Sequence, residues 1–292
     1  MTTKYPNLTA AQESLFLTLA GRALDSRLPR PFLGDVTSDR TISELEYDPS
    51  VFRILSTDLR DPRNKVFELA VRAKRLDEIV RRFVARQPEA VVLDLGAGLD
   101  NRMHRIGTPS DVDWYDVDFP EVVALRQQVL PQPANAHPVG VDLRTDHRWL
   151  DEVPSDRPAV IVADGLVPFL SQTDLVMLLG RLTRHFPCGE LAFNGYTPLA
   201  VWAIKHLRIA GSLDVEAAVN PGFFNPYEPE RWGVGLRLVE EIAIARAPEV
   251  ADLPPVTRLV HRVAGRISPV SRLVATVVLR YRFPRGNGGG ER

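Results

Sequence analysis

The sequence predicts an α/β protein in which a seven-stranded, doubly wound sheet follows a set of N-terminal helices. From about Ala90 onward, short runs rich in β-branched residues alternate with helical stretches, which is the pattern of βαβ units. The run AVIVA at Ala159–Ala163 is apolar throughout, as is typical of strands buried on both faces of a parallel sheet. The 292 residues are enough to build a large hydrophobic core.

Helices are predicted before the sheet. Thr9 and Gln12 are spaced like a capping box, which predicts a helix that carries Leu15 and Leu19 on one face. Val66–Val84 has apolar residues at three- and four-residue spacing and predicts an amphipathic helix with one face in the core.

Seven strands are predicted in the second part of the chain. Ser171 and Asp174 are spaced like a capping box and predict a crossover helix that runs to about Phe186. The predicted strands are Ala90–Leu95, Val112–Asp118, His137–Leu143, Ala159–Ala163, Glu190–Tyr196, Leu236–Ile244 and Ala275–Phe283.

The predicted domain boundaries follow these patterns. Residues 1–89 form a helical cap, and residues 90–285 form the sheet domain. Residues 197–235 are an insertion rich in proline and aromatic side chains, of the kind that forms a lid or a substrate wall. The glycine-rich end at 286–292 predicts a flexible tail. We expect the cap and the sheet to act as one functional unit.

Composition excludes several classes of protein. The 36 basic and 37 acidic residues balance, which argues against a nucleic-acid partner. The single cysteine, Cys188, excludes a disulfide framework and a multi-cysteine metal site. No apolar run is long enough to span a membrane, and the N-terminus lacks the pattern of a signal peptide. We therefore expect a cytoplasmic protein that acts on a small molecule and has no metal site, and its oligomeric state is not predicted.

A nucleotide-binding signature follows the first predicted strand, in the sequence VVLDLGAGLD. Gly96 and Gly98 end the strand where the backbone must turn tightly and approach a ligand. Asp118 comes 22 residues after Gly96, at the end of the next strand. A carboxylate at that place accepts both hydroxyls of a ribose.

The residues around the loop favour S-adenosylmethionine over NAD. Asn101 stands where a pyrophosphate-binding loop has its third glycine, and a carboxylate at the neighbouring Asp100 would repel phosphates. S-adenosylmethionine carries a ribose, an adenine and a charged amino-acid end without a phosphate. Asp94 would then lie near the ammonium group, and Asp142 and Leu143 near the adenine. Asp142 has helix N-capping as an alternative role.

Two arginines of the cap are predicted to point inward. Arg72 falls within the apolar face of its helix, where an unpaired guanidinium costs several kcal/mol. The carboxylate of the cofactor would pair with it. A salt bridge to an aspartate and a side chain that extends to solvent are the alternatives. Arg22 follows Leu15 and Leu19 on one face of the first predicted helix, so it is also expected to point inward, on weaker evidence than Arg72.

The segments AVRAKRLDEIV, VVLDLGAGLDNR and WYDVDFPEVVALR carry a family resemblance. From Thr9 to Phe283 the sequence resembles the leucine carboxyl methyltransferase superfamily, in its bacterial tetracenomycin-type polyketide O-methyltransferase branch. The resemblance implies a class I, Rossmann-like fold and S-adenosylmethionine-dependent methylation of an oxygen, often that of a carboxylate. It implies that Arg72 holds the cofactor carboxylate, Gly96 the methionine moiety, Asp118 the ribose, Asp142 and Leu143 the adenine, and Asp164 the amino-acid end.

The sequence departs from this family at two positions. Asn101 stands where the family more often has threonine, and it keeps a hydrogen-bonding side chain. Asp164 stands where the family more often has glutamate, so its side chain is one methylene shorter.

The expected acceptor follows from the chemistry of methyl transfer. A carboxylate is ionised at neutral pH and needs no general base, whereas a phenol, with a pKa near 10, does. No catalytic dyad is evident, so a carboxylate acceptor is favoured over a phenol and no catalytic residue is assigned. Asn194 and Tyr196, at the end of the fifth strand, are candidate substrate contacts, with packing and loop capping as alternatives. A non-catalytic protein that binds S-adenosylmethionine and an NAD-dependent reductase are the alternative functions.

Overall fold

The computed structural model describes residues 14–48, 61–195, 197–198, 219–223, 225–266 and 276–284. Four predicted features therefore lie wholly or largely outside the described residues. They are the capping box at Thr9 and Gln12, Tyr196, most of the insertion at 197–235, and the tail at 286–292.

Seven strands form one mixed sheet in the order β3-β2-β1-β4-β5-β7-β6, which confirms the predicted fold class. The first five strands are parallel. The last strand, β7, runs antiparallel to both of its neighbours, β5 and β6, which makes the sheet mixed at that edge. The strands are β1 (Val91–Leu95), β2 (Asp113–Asp118), β3 (Ala136–Gly140), β4 (Ala159–Ala163), β5 (Gly189–Gly195), β6 (Arg237–Ala243) and β7 (Val277–Phe283).

Seven α-helices are described, and three of them precede the sheet. Within the described part of the chain, no helix has the length and apolar character needed to cross a membrane. The helices are α1 (Ser14–Ser26), α2 (Val36–Glu44), α3 (Pro62–Arg86), α4 (Arg102–Ile106), α5 (Pro120–Val129), α6 (Gln172–His185) and α7 (Pro255–Gly265).

Helix α3 is the predicted amphipathic helix, extended at both ends. The Asp61 side chain accepts a hydrogen bond from the backbone N–H of Arg63, and Pro62 occupies the first turn, where its missing N–H costs nothing. The helix ends before Pro88, because the residue that precedes a proline avoids the helical conformation. Its buried face packs directly on the sheet, against side chains that include Val160 and Val278.

Alternating residues of the central strands enter two different hydrophobic cores. Val91, Leu93 and Leu95 join a core that also includes residues of α6, whereas Val92 faces the core beneath α3. Asp94 has the parity of Val92, so it projects toward the α3 side of the sheet. The predicted capping box of α6 is confirmed, since the Ser171 side chain accepts a hydrogen bond from the N–H of Asp174.

Strand β3 is shorter than the sequence predicts. It ends at Gly140, and Asp142 and Leu143, which were expected to end the strand, lie in the connection that follows. The Asp142 side chain accepts a hydrogen bond from the N–H of Arg144 at 3.0 Å, which bends the chain into a turn. This local turn replaces the ladder hydrogen bonds that a longer strand would make.

Candidate functional site

The glycine loop leaves the carboxyl end of β1 in a conformation that requires glycine. Gly96 has φ +66° and Gly98 has φ +50°, in the left-handed region that other residues rarely adopt. The N–H of Gly96 donates to the carbonyl oxygen of Val117 at 2.8 Å, which ties the start of the loop to β2. Both glycines therefore occupy the tight turn that the sequence predicted for them.

Asp118, at the end of β2, is held against this loop. Its Oδ2 accepts a hydrogen bond from the N–H of Gly98 and its Oδ1 one from the N–H of Phe119, both at 2.7 Å. Burial raises the pKa of Asp118, and these two hydrogen bonds oppose the rise. Since each carboxylate oxygen has two lone pairs, both retain a site for a further donor such as a hydroxyl.

Asp94 contacts an arginine that sequence reasoning missed. Arg102, at the start of α4, is fully buried, and its Nη1 lies 2.6 Å from Asp94 Oδ2. The same guanidinium reaches Asp77 Oδ1 at 2.9 Å and Asp100 Oδ2 at 3.1 Å. Burial raises the pKa of Asp94 to about 7; Arg102 opposes the rise, whereas the nearby charges of Asp100 and Asp116 add to it.

Asp100 lies under the loop in the same group of buried charges. Burial alone would raise its pKa, but Arg105, Arg22 and Arg102 hold the pKa of Asp100 well below its ordinary value. The nearest atoms of Arg105 and Asp100 are 2.8 Å apart. The negative charge of Asp100 is thus paired with arginines, which weakens the repulsion of phosphates that the sequence predicts at this position.

Arg22 is buried, as expected, and the structure places it in this same group. Its Nε lies 3.5 Å from Asp35 Oδ2, and its Nη1 lies 3.6 Å from Asp100 Oδ2. Its Nη2 donates to the carbonyl oxygen of Leu99 at 3.3 Å. Arg22 therefore contacts the glycine loop through the backbone of the loop itself.

A further arginine holds the loop from the side of α5. Arg126 Nη1 donates to the carbonyl oxygens of Gly98 and Asp100, and Nη2 lies 2.7 Å from Asp116 Oδ2. The loop is consequently fixed by side chains from α1, α4 and α5 as well as by β2.

Arg72 and Asp164, both predicted to meet the amino-acid end of the cofactor, contact each other. Arg72 Nε lies 2.6 Å from Asp164 Oδ1, and the side chains are only 7% and 9% exposed. The two atoms lack the alignment of a hydrogen bond. The salt bridge to an aspartate, one of the alternatives for Arg72, is thus present. It joins the middle of α3 to the carboxyl end of β4.

Asn194 supports the segment that carries Asp164. Its side chain is fully buried, and its Oδ1 accepts a hydrogen bond from the N–H of Gly165 at 2.7 Å. Loop capping, the alternative given for Asn194, therefore describes this contact. Tyr196, the other candidate substrate contact, lies outside the described residues.

Asp142 and Leu143 lie beyond the end of β3. The Asp142 carboxylate pairs with the Arg144 guanidinium, with Oδ2 and Nη2 2.7 Å apart, and this arginine lowers the pKa of Asp142. The nearest helical turn, Arg148–Glu152, begins after His147, whose side chain makes no capping hydrogen bond. Asp142 instead accepts the N–H of Arg144 at the start of the preceding turn. Leu143 is buried.

Helical periodicity could have identified Asp77, one of the buried charged residues that the sequence analysis missed. At 100° per residue, Asp77 lies about 20° from Val66 on α3, within the same apolar face that led to Arg72. Asp77 is 2% exposed and pairs with Arg102 and Arg105. For Arg102 the sequence has no comparable signal, because α4 is too short to show a periodic face.

Comparisons with known proteins show which family the chain is similar to. The sequence model of the family described as leucine carboxyl methyltransferase matches residues 15–183. The tetracenomycin polyketide synthesis O-methyltransferase TcmP of Streptomyces glaucescens is 38% identical over 277 residues, which cover 94% of this chain and 98% of that protein. The S-adenosyl-L-methionine-dependent methyltransferase dpfgK of Gibberella zeae is 31% identical over 214 residues, 68% of this chain and 71% of its own.

Solved structures share the fold at low sequence identity. The crystal structure of a duf574 family protein from Streptomyces avermitilis has a TM-score of 0.52 and 18% identity, and the match covers 91% of this chain and 97% of that chain. A likeness at this level of identity supports the architecture of the sheet and its helices.

Proposed function

The chain belongs to the leucine carboxyl methyltransferase family and is an S-adenosylmethionine-dependent methyltransferase, and from this premise we propose that it methylates an oxygen of a small, polyketide-like acceptor. The observation that carries the proposal is the 38% identity to a polyketide O-methyltransferase over 94% of the chain. A relative of this similarity and coverage makes a shared class of acceptor the simplest expectation.

The charges at the carboxyl edge of the sheet fit the amino-acid end of the cofactor. Arg72 and Asp164 provide one buried cation and one buried anion, 2.6 Å apart and not aligned as a hydrogen bond. An amino acid carries the complementary pair, a carboxylate and an ammonium group. In our proposal Arg72 holds the carboxylate, and Asp164 and Asp94 lie near the ammonium.

The remaining cofactor contacts are proposed on the same basis. Asp118 has lone pairs available beside the glycine loop, where it would accept the ribose hydroxyls. Gly96 and Gly98 let the loop backbone approach the cofactor closely. Asp142 and Leu143 would contact the adenine.

Arg22 is proposed to act through the loop. It donates to the carbonyl oxygen of Leu99 and approaches two buried carboxylates, so we expect it to order the loop backbone.

When bound, S-adenosylmethionine would supply a methyl group from its sulfonium: the acceptor oxygen would bond to the methyl carbon as the carbon–sulfur bond breaks, and S-adenosylhomocysteine would leave. The protein contributes alignment and exclusion of water, and positioning of this kind supplies roughly 7–11 kcal/mol of the barrier reduction. A phenol acceptor would need a general base such as His104, His137 or His206. His206 lies outside the described residues, and the other two make contacts away from the proposed site. His137 is near the amino end of β3 and contacts Asp113, and His104 contacts the carbonyl oxygen of Pro131. A carboxylate acceptor therefore remains the first candidate and a phenol the second.

The proposal is tested by binding and by transfer. Calorimetry with S-adenosylhomocysteine measures the cofactor site, and incubation with S-adenosylmethionine and a panel of aromatic acids and phenols, followed by mass spectrometry, measures methylation. Mild alkaline hydrolysis then cleaves a methyl ester and leaves a methyl ether intact. Binding without transfer to any acceptor would support the non-catalytic alternative, and absence of binding would contradict the proposed site.

A further inference from the structure

Glu68 lies at the carboxyl edge of the sheet, on the side away from the glycine loop. It precedes Arg72 by four residues, so the two side chains share a face of α3. Glu68 Oε2 accepts a hydrogen bond from the N–H of Thr276 at 3.0 Å. Thr276 directly precedes β7, whose first residue, Val277, pairs with Gly195 at the end of β5. Since β5 is parallel to β4, Glu68 lies at the same sheet edge as the proposed methyl-transfer site.

The second oxygen of this carboxyl group has no hydrogen-bond partner. Glu68 Oε1 is buried and unpartnered within the described part of the chain. One turn earlier on the same helix face, Asn64 Oδ1 is buried and unpartnered as well. Burial raises the pKa of Glu68 to about 7, although hydrogen bonding from both the backbone and the side chain of Thr276 and the nearby Arg72 charge oppose the rise. Buried polar atoms almost always have partners, so two orphaned oxygens on one face indicate that something else supplies the donors.

Asn64 Oδ1 accepts hydrogen bonds, and so does Glu68 Oε1 at a pH above the pKa of its carboxyl group, where that group is ionised. This limits the chemistry of the group that meets the two atoms in the ionised state. A hydroxyl or another N–H or O–H donor satisfies such an atom, whereas a bare carboxylate is repelled by it. The cofactor contacts proposed above engage β1, β2, β4 and the Arg72–Asp164 pair, which leaves the edge at β5 and β7 for the acceptor. A donor on the acceptor would satisfy both oxygens.

We propose that Glu68, with Asn64 beside it, binds a hydroxyl group of the methyl acceptor, so that the preferred acceptor is a hydroxy acid. This inference rests on the proposed function and adds the substrate group that the site selects. A site built to bind a hydroxyl rejects the analogue that lacks it, because its buried polar atoms are then left unpaired.

The test uses two flat apolar acids that differ by one hydroxyl, 3-hydroxy-2-naphthoate and 2-naphthoate. For the unmodified enzyme we expect kcat/KM to favour the hydroxylated acid by about 10- to 100-fold, the range for a hydrogen bond to a charged group. Glu68→Leu removes the acceptor atoms, and the preference should fall to about threefold or less. Glu68→Gln keeps one oxygen and should give an intermediate ratio. The matched control, Glu89→Gln, changes an exposed glutamate and should leave the ratio unchanged.

Binding of S-adenosylhomocysteine separates this inference from the proposed function. In Glu68→Leu its Kd should stay within about threefold of the unmodified protein; an equal loss of cofactor and acceptor binding would mean that Glu68 acts through Arg72, and would overturn the inference. Equal transfer to both acids by the unmodified enzyme would overturn it too, while the proposed function stands. Cofactor binding without transfer to either acid would contradict both the proposed acceptor class and the inference.

Discussion

The two sides of the candidate cofactor site differ in how their charges are satisfied. Beneath the glycine loop, Arg102 contacts Asp77, Asp94 and Asp100 at 2.6–3.1 Å. At the proposed methyl-transfer side, an ion pair joins Arg72 to Asp164, and nearby Glu68 Oε1 has no hydrogen-bond partner within the described residues. The first arrangement fixes a backbone conformation before any ligand arrives. The second leaves polar groups for a ligand to satisfy.

This difference separates a framework region from a proposed ligand-binding region, and each should respond differently to substitution. Removal of a framework charge leaves several buried charges without their partner, so the free energy of unfolding should fall. Removal of a ligand-binding charge leaves fewer buried charges without a partner, so the main effect should be weaker binding of the ligand.

The largest effect is expected for Arg102→Met. It leaves three buried carboxylates without their shared cation, and the free energy of unfolding should fall by about 3–5 kcal/mol. Urea denaturation followed by circular dichroism measures this change. Arg81→Met, at an exposed position on α3, serves as the control and should change stability by about 0.5 kcal/mol or less. A loss below about 1 kcal/mol in Arg102→Met would remove the distinction between the two regions.

Arg72→Met should affect binding more than stability. We expect the Kd for S-adenosylhomocysteine to rise about 30-fold or more, which corresponds to about 2 kcal/mol, because the carboxylate loses its cation. In Arg72→Met the Asp164 carboxylate loses its ion pair. Arg102, 3.8 Å from Asp164 Oδ2, partly compensates this negative charge in the folded protein. Calorimetry and urea denaturation on the same samples compare the two losses. A larger loss of stability than in Arg102→Met would place Arg72 in the framework.

The pH dependence of stability should reveal Glu68. Its pKa is raised from 4.5 to about 7 in the folded protein, so between these values the folded state binds more protons than the unfolded state. The protonated Glu68 therefore contributes to the free energy of unfolding at low pH, and this contribution is lost as the pH rises toward 7. Glu68→Gln lacks this titration, and its stability relative to the unmodified protein should increase by about 2–3 kcal/mol from pH 5 to pH 8. A difference that does not change with pH would show that the carboxyl is hydrated.

The smallest effect is expected at a half-exposed ion pair. Arg144→Ala removes the partner of Asp142, and the free energy of unfolding should change by less than about 1 kcal/mol, since exposed pairs contribute little. Thermal denaturation at low and high salt measures it. Asp142→Ala should instead weaken cofactor binding about tenfold if its carboxylate meets the adenine, so equal affinity in both variants would remove Asp142 from the proposed site.

Local interactions explain which features could be predicted from sequence. The seven strands, the positive φ of Gly96 and Gly98 and the cap at Ser171 depend on residues within a few positions of each other. The inward direction of Arg72 follows in the same way from the periodicity of one helix. Membership of the methyltransferase family was also evident, because its motifs are contiguous segments of sequence.

Only the tertiary structure decided which charges meet. Arg102 joins side chains from α3, β1 and the glycine loop, and Arg72 meets an aspartate at the end of β4. The reversed direction of β7 brings Thr276 to the carboxyl edge, where its N–H holds Glu68. A buried charge requires a partner, and the sequence alone predicts that Arg72 is buried and therefore needs one. Which partner meets it depends on how distant elements pack, because packing sets the distances over which ion pairs and hydrogen bonds form.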